Sequence, residues 1–259
     1  MQLEIAALSK VGGRTINEDA CGVWSSPDAC FCVLSDGAGG HGGGDVASKL
    51  VVSRVLNWFR QHPECTAEAV ETALFTANQA VVESQASDQR LSDMRATVVI
   101  LAIDTASGLA IWGHLGDTRL YCFRDQRVVV QTRDHSVVQN MVDAGYIKQS
   151  QLRGVPQRGR LLSAIGDVEN FSPSVKQDRF SLTSGDVFLL CTDGCWEHVE
   201  ETEMERSLGE SKSSEEWLRQ IEAKVLAAGK SQQDNYSALA VWCSDPAEHQ
   251  HVRYAEERY

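Results

Sequence analysis

The sequence predicts an α+β domain in which pairs of helices cover the outer faces of two stacked, mainly antiparallel sheets. Three observations carry this. Strand-like apolar runs stand near both ends of the chain, Leu3-Glu4-Ile5-Ala6-Ala7-Leu8 at one and residues 236–242 at the other. The helical patterns between them are amphipathic, so each needs a sheet face to cover. In the middle, strand follows strand across short turns, which builds antiparallel sheet rather than alternating βαβ units.

In chain order, the first strand gives way to a loop holding Arg14, Asn17, Glu18 and Asp19, then to a short strand over 21–24. Residues 29–34 are mostly apolar and read as a buried strand that runs into Ser35-Asp36-Gly37. Six of the eight residues from Gly37 to Gly44 are glycine, which lets backbone approach a ligand or ion with no Cβ in the way. A helix follows with Val46, Ala47, Leu50, Val51, Val55, Trp58 and Phe59 on one face. Thr66 is placed to cap a second, striped by Ala69, Val70, Ala73, Ala77, Ala80 and Val81. Residues 95–104 open a run of strands continued by 108–115, 119–123 and 127–131, with hairpin turns at 104–108 and 124–126. Asp134 is expected to cap a short helix carrying Val137, Val138, Met141 and Val142. From 145 to 173 the pattern is irregular and holds Lys148, Arg153, Arg158 and Arg160, either a functional loop or a solvated surface. The strand 187–191 leads into Thr192-Asp193-Gly194, and Ser213-Ser214-Glu215-Glu216 offers a capping box for a helix with Trp217, Leu218, Ile221 and Val225 inward. The expected organisation is one domain over 1–243 and a polar tail over 244–259.

Composition narrows the class. With 259 residues and 42% hydrophobic content the chain can build one sizeable core, and no linker divides it. The start lacks the basic and apolar regions of a signal peptide, and the longest apolar run, 98–103, is too short to span a bilayer. A soluble, cytoplasmic protein is expected, with monomer as the default state. Eight cysteines without a Cys-x-x-Cys pair read as buried reduced thiols rather than disulfides or a zinc site. A net charge of -12 argues against a nucleic-acid partner or an anionic membrane surface.

The chemistry lies in a repetition. A lone strand followed by Asp-Gly is an ordinary turn signal. Here Leu34-Ser35-Asp36-Gly37 recurs as Cys191-Thr192-Asp193-Gly194; His114-Leu115-Gly116-Asp117 ends another strand, and Asp234-Asn235 stands just before the last. Strands packed side by side would bring these carboxylates together, where repulsion and burial would drive protons onto them unless a cation intervened. The ligands are oxygen throughout, which suits Mg²⁺ or Mn²⁺ better than zinc. Asp36 shared between two ions about 3.5–4 Å apart would place a bridging water between them. The loop of Arg14, Glu18 and Asp19 reads either as a solvated loop with an Arg–carboxylate pair or as a functional one, with Glu18 and Asp19 near a metal and Arg14 left to hold a phosphoryl group by its fork. The hydroxide then attacks phosphorus in line.

Arg14-x-x-Asn17-Glu18-Asp19, Ser35-Asp36-Gly37-x-Gly39-Gly40, Leu115-Gly116-Asp117-Thr118-Arg119, Asp134-His135-Ser136, Thr192-Asp193-Gly194 and Asp234-Asn235 together resemble the ordered motifs of the metal-dependent (type 2C, PPM) serine/threonine protein phosphatases, in their bacterial branch. Order and rough spacing match from about residue 3 to 243. The resemblance implies a four-layer αββα sandwich with a binuclear Mn²⁺/Mg²⁺ centre at one end. It implies that Asp36 bridges the metals, Gly37 ligates through its carbonyl, and Asp193 and Asp234 complete the pair. Glu18 and Asp19 would act directly or through water, Asp117 with Asp193 would hold a third ion, and Arg14 would bind phosphate. The segment 145–166 corresponds to a variable flap that influences substrate choice. Partners implied are Ser/Thr-phosphorylated proteins and a cognate kinase pathway. Many eukaryotic members carry His directly after the Asp-Gly; here Ala38 stands there, so no general acid is carried over, and His41 and His198 remain open alternatives. Two other readings of the same fold stand beside this one: a catalytically weak phosphoprotein-binding module, and a hydrolase of small phosphate esters.

Overall fold

The computed structural model describes residues 1–38, 43–228 and 233–245. Its elements run β1 (Gln2–Lys10), β2 (Asp19–Ser25), β3 (Ala29–Ala38), α1 (Gly44–Gln61), α2 (Ala67–Ser87), β4 (Arg95–Ala96), β5 (Val98–Asp104), β6 (Leu109–Leu115), β7 (Arg119–Arg124), β8 (Arg127–Gln131), α3 (Val137–Asp143), β9 (Ser174–Val175), β10 (Phe180–Ser181), β11 (Val187–Cys191), α4 (Asp193–Trp196), α5 (Glu201–Glu210), α6 (Ser214–Ala227) and β12 (Tyr236–Ser244). One sheet has the order β1-β12-β11-β7-β8, the other β10-β6-β5-β3-β2, with β4 beside β3 and β9 beside β6. The pairings are antiparallel throughout.

Period-two alternation explains the layering, because the central strands are apolar on both faces. Cys30, Cys32 and Leu34 of β3 point with Val99 and Leu101 toward Phe188, Leu190, Leu239 and Val241 of the facing sheet. The intervening Phe31 and Val33 point outward, onto Val51, Val55 and Phe59 of α1 and Leu74 and Ala77 of α2. On the far side Leu189, Ala238 and Ala240 meet Met204 of α5 and Trp217 and Ile221 of α6. The result is helix, sheet, sheet, helix, as the sequence predicts. Each fully buried Leu, Ile, Val or Phe contributes roughly 1.5–3 kcal/mol. None of the eight cysteines forms a disulfide, and seven of them are buried.

Several local expectations need adjustment. The strand expected over 95–104 breaks at Thr97, whose N–H donates to the Asp36 carbonyl (2.8 Å) and whose hydroxyl accepts from the Asp36 N–H (3.1 Å). Asp134 does not cap α3: Ser136 does, accepting from Gln139 N–H at 3.1 Å, while Asp134 is taken by Arg119. The capping box of α6 is half realised, because Ser213 accepts from Glu216 N–H but the Glu216 carboxylate accepts from Lys212. Thr66 caps α2, accepting from Ala69 N–H at 3.1 Å. The tail expected from 244 begins inside β12, which ends at Ser244, and residues 246–259 lie outside the described residues. So do Gly39, Gly40, His41 and Gly42 of the glycine-rich stretch. Among the described residues no helix is long and apolar enough to cross a membrane.

Candidate metal centre

Two strand ends from each sheet meet at one edge of the sandwich. In the β2–β3 ladder Asp19 lies directly opposite Asp36. In the other sheet the end of β11 abuts the start of β12, where Thr192 N–H donates to the Ser237 carbonyl at 3.0 Å. Thr192 then reaches across the sheets, its hydroxyl donating to one Asp19 oxygen at 3.0 Å. Asn235 makes a second crossing: its carboxamide oxygen accepts from Glu18 N–H (2.8 Å) and its nitrogen donates to the Val11 and Ile16 carbonyls (2.7 and 3.0 Å). The sequence marked Asn235 only as part of a motif; its role as a strap between the sheets comes from the fold.

Both Asp-Gly turns are held by close backbone approach. A Cβ on Gly37 would stand 2.0 Å from the Gly44 carbonyl oxygen, and one on Gly194 would stand 2.0 Å from that of Asn235. Only glycine can follow either aspartate without displacing its neighbour. Asp117 is fixed from three directions. Gly116 N–H donates to His135 Nδ1 (3.1 Å), Trp196 Nε1–H donates to the Asp117 carbonyl (2.9 Å), and the Thr118 hydroxyl pairs with that of Thr97. His135 stacks on His114, with ring centroids 4.6 Å apart, and His114 Nε2 donates to the Arg133 carbonyl. Because Nδ1 of His135 accepts from backbone, its Nε2 carries the proton donated to Ser174, so Ser174 is not activated as a nucleophile. Both histidines are therefore structural.

Burial and like charge act together here. Burial first, then the charges of Asp193, Asp19, Asp117 and Asp234, push the Asp36 carboxyl well above the usual range. Burial pushes Asp193 up as well, helped by Asp117 and Glu197. Asp19 rises to about 6 and Asp117 to about 7, burial again being the main cause. Glu18 is raised too, through burial opposed by Arg14. Each carboxylate thus sits in the field of the others. One of them has an unmet need: the second oxygen of Asp19 is buried and has no hydrogen-bond partner. Among the described residues no three His, Cys, Asp or Glu side chains close into a cage of ligands. An all-oxygen donor set, raised carboxyl groups and an orphaned oxygen fit a hard divalent cation.

Arg14 is exposed and its Nη2 donates to Asp234 at 2.7 Å, so the arginine expected at a phosphoryl group rests on a carboxylate expected at a metal. Behind the centre lies a buried pair the sequence did not disclose: Arg119 grips both oxygens of Asp134 (2.8 and 2.7 Å), with its guanidinium carbon 3.6 Å above the Trp196 ring. Arg153 and Arg158, expected to face solvent or substrate, both turn inward onto α4 and its neighbours. The polar side chains do not reveal such pairings from spacing, since the partners lie tens of residues apart.

Comparison with known proteins places this arrangement. The sequence model described as "Protein phosphatase 2C" matches residues 9–234. The serine/threonine phosphatase stp of Listeria monocytogenes is 32% identical over 237 residues, covering 88% of this chain and 90% of that protein. The crystal structure of the Mycobacterium tuberculosis serine/threonine phosphatase PstP/Ppp superposes with a TM-score of 0.82 at 26% identity, over 94% of this chain and 99% of that one. The catalytic domain of PstP in complex with two manganese ions gives a TM-score of 0.79 at 27% identity, over 94% and 99%.

Proposed function

The chain belongs to the protein phosphatase 2C family of serine/threonine phosphatases, and from that premise we propose that it hydrolyses phosphoserine and phosphothreonine in proteins with Mn²⁺ or Mg²⁺ held by Asp36, the Gly37 carbonyl, Asp193 and Asp234. The observation that carries the reading is the Asp19–Asp36 pair: two carboxyl groups in register, one with a buried oxygen that nothing in the protein satisfies. Divalent cations bound there supply a water activated near neutral pH and positive charge for the phosphoryl oxygens.

The chain's own residues do the rest. Asp36 has the negative charges of Asp193, Asp19, Asp117 and Asp234 around it, which suits it to bridge two ions. Glu18 and Asp19 complete the inner set from the β2 side, and Asp117 with Asp193 offers a third position. Thr192 holds one Asp19 oxygen so that the other stays aimed into the site. Arg14, exposed and free to swing from Asp234, presents its fork to the phosphoryl group. No side chain is assigned the proton of the leaving alkoxide. The domain proposed is 1–243, acting on phosphoproteins opposite a serine/threonine kinase.

The substrate class is tested by comparing kcat/KM on a phosphothreonine peptide and on a nucleoside monophosphate under saturating Mn²⁺. Faster hydrolysis of the peptide is expected; a preference for the nucleotide would contradict the protein substrate and favour the small-ester reading.

A further inference from the structure

Strand β1 is the open edge of its sheet: among the described residues it pairs only with β12. Alternate residues of such a strand turn their N–H and C=O groups away from the neighbour, where another strand can take them. That edge borders a cleft of about 300 Å³ lined by five successive residues, 6–10, and by Glu215, Leu218, Arg219 and Glu222 of α6. Successive strand side chains point to opposite faces, so five in a row reach one cleft only along the backbone edge. Leu226, one turn beyond Glu222, is 55% exposed on the same helix face.

Strand and helix run side by side in the same direction. Glu4 accepts from the N–H and hydroxyl of Ser214 (2.6 and 2.7 Å) at one end, and Lys10 meets Glu222 at 3.6 Å at the other. Glu4, Ala6 and Lys10 therefore share the α6 face, while Leu3 and Ile5 turn toward the apolar layer between the sheets. The chain leaves the sheet beside this same strand. Ser244, the last residue of β12, stands opposite Gln2, and Asp245-Pro246 is a turn-starting pair. Passing from β12 round the end of β1 spans two strand spacings, about 10 Å, or roughly three extended residues. Residue 249 would then stand beside Gln2 and residue 257 beside Lys10. In that register Val252 and Tyr254 fall beside Ile5 and Ala7, on the face toward the apolar layer. Arg253 and Glu257 fall beside Ala6 and Lys10, on the α6 face, where Glu215 and Lys10 offer the opposite charges. A slip of one residue would turn Val252 and Tyr254 to the charged face and Arg253 and Glu257 to the apolar one.

We propose that the groove between β1 and α6 is a docking site for this chain's own C-terminal segment, with residues 249–257 adding to the open edge as a strand parallel to β1. Being tethered, the segment meets the edge at an effective concentration of order millimolar, so pairing too weak to recruit a separate peptide suffices. Backbone pairing supplies the attraction, and the two-faced match of apolar and charged side chains sets the register. Nothing in this depends on the metal centre.

The test is residue-by-residue amide exchange on the full chain, in wild type, in Val252→Pro with Tyr254→Pro, in Arg253→Glu, in Glu215→Arg and in the last two combined. In wild type the amides of 250–256 should exchange about tenfold or more slowly than an unstructured segment of the same sequence. The proline pair leaves residues 1–245 untouched, yet should remove that protection and speed exchange at the outward amides of β1. Arg253→Glu and Glu215→Arg should each lose roughly twofold to fivefold of the protection, and the combination should regain it. Exchange over 250–256 at the unstructured rate in wild type overturns the proposal. So does protection that ignores the charge swap, which would seat the segment elsewhere, and protection that grows with protein concentration, which would put a second copy on the edge.

Discussion

Asp193 combines two roles that a single substitution can separate. As a carboxylate it is the proposed ligand; as a buried charge among like charges it is a burden on the metal-free fold. Asp193→Asn should therefore cut phosphopeptide turnover by about 10²-fold or more while leaving the metal-free melting temperature unchanged or higher. A lower melting temperature together with retained turnover would remove Asp193 from the centre. Arg119 gives the opposite case. Its side chain and that of Asp134 are 1% and 2% exposed, so Arg119→Leu strands a buried carboxylate. The expected loss in unfolding free energy is about 3–5 kcal/mol, read by urea titration; a loss below 1 kcal/mol, less than a tenfold change in the folding equilibrium, would show that Asp134 finds another partner.

At the scale of elements, caps and turns separate what local chemistry decides from what the fold decides. Thr66 and Ser213 cap α2 and α6 as their positions imply, because a hydroxyl three or four residues before an apolar stripe has no competing long-range partner. Asp134 had the same local signature but is claimed by Arg119 across a hairpin, and Ser136 caps α3 instead. Ser136→Ala should cost about 1 kcal/mol, again measurable in urea, whereas an unchanged midpoint would mean that α3 is held by packing alone. The hairpin turns were legible for the same reason as the caps: Asp125 and Gln126 adopt φ of 51° and 62°, which their short connection demands. The strands and their terminal aspartates were legible because periodicity and Asp-Gly order are local. The straps that assemble the site were not. Asn235 to Glu18, Thr192 to Asp19 and Arg158 to Glu197 join residues whose proximity exists only once the sheets stack. The inward turn of Arg153 and Arg158 is the clearest case, since in sequence they look like any basic loop.

For the whole molecule, the carboxylate cluster makes stability depend on pH with an unusual sign. Asp19 is pushed to about 6 and Asp117 to about 7, and Asp36 and Asp193 are pushed well up too, all above the 3.8 of an unfolded aspartate. The folded state therefore binds protons that the unfolded chain does not, and the metal-free protein gains stability as pH falls from about 8 toward 6.5. His135, held near 4 by burial and by His114, acts in the other direction, but only below its ordinary value of 6.5. In EDTA the melting temperature should be higher at the lower pH; a decrease would contradict the clustering. Mn²⁺ should raise the melting temperature most at the higher pH, where the ligands are already deprotonated. If these carboxylates hold cations for phosphate-ester hydrolysis, one assay reads it: phosphate released from a phosphothreonine peptide with Mn²⁺, then with excess EDTA, then with Mn²⁺ restored. Turnover that EDTA abolishes and Mn²⁺ brings back is expected. Turnover that persists in EDTA, or folded protein that is inactive with both Mn²⁺ and Mg²⁺, would contradict it.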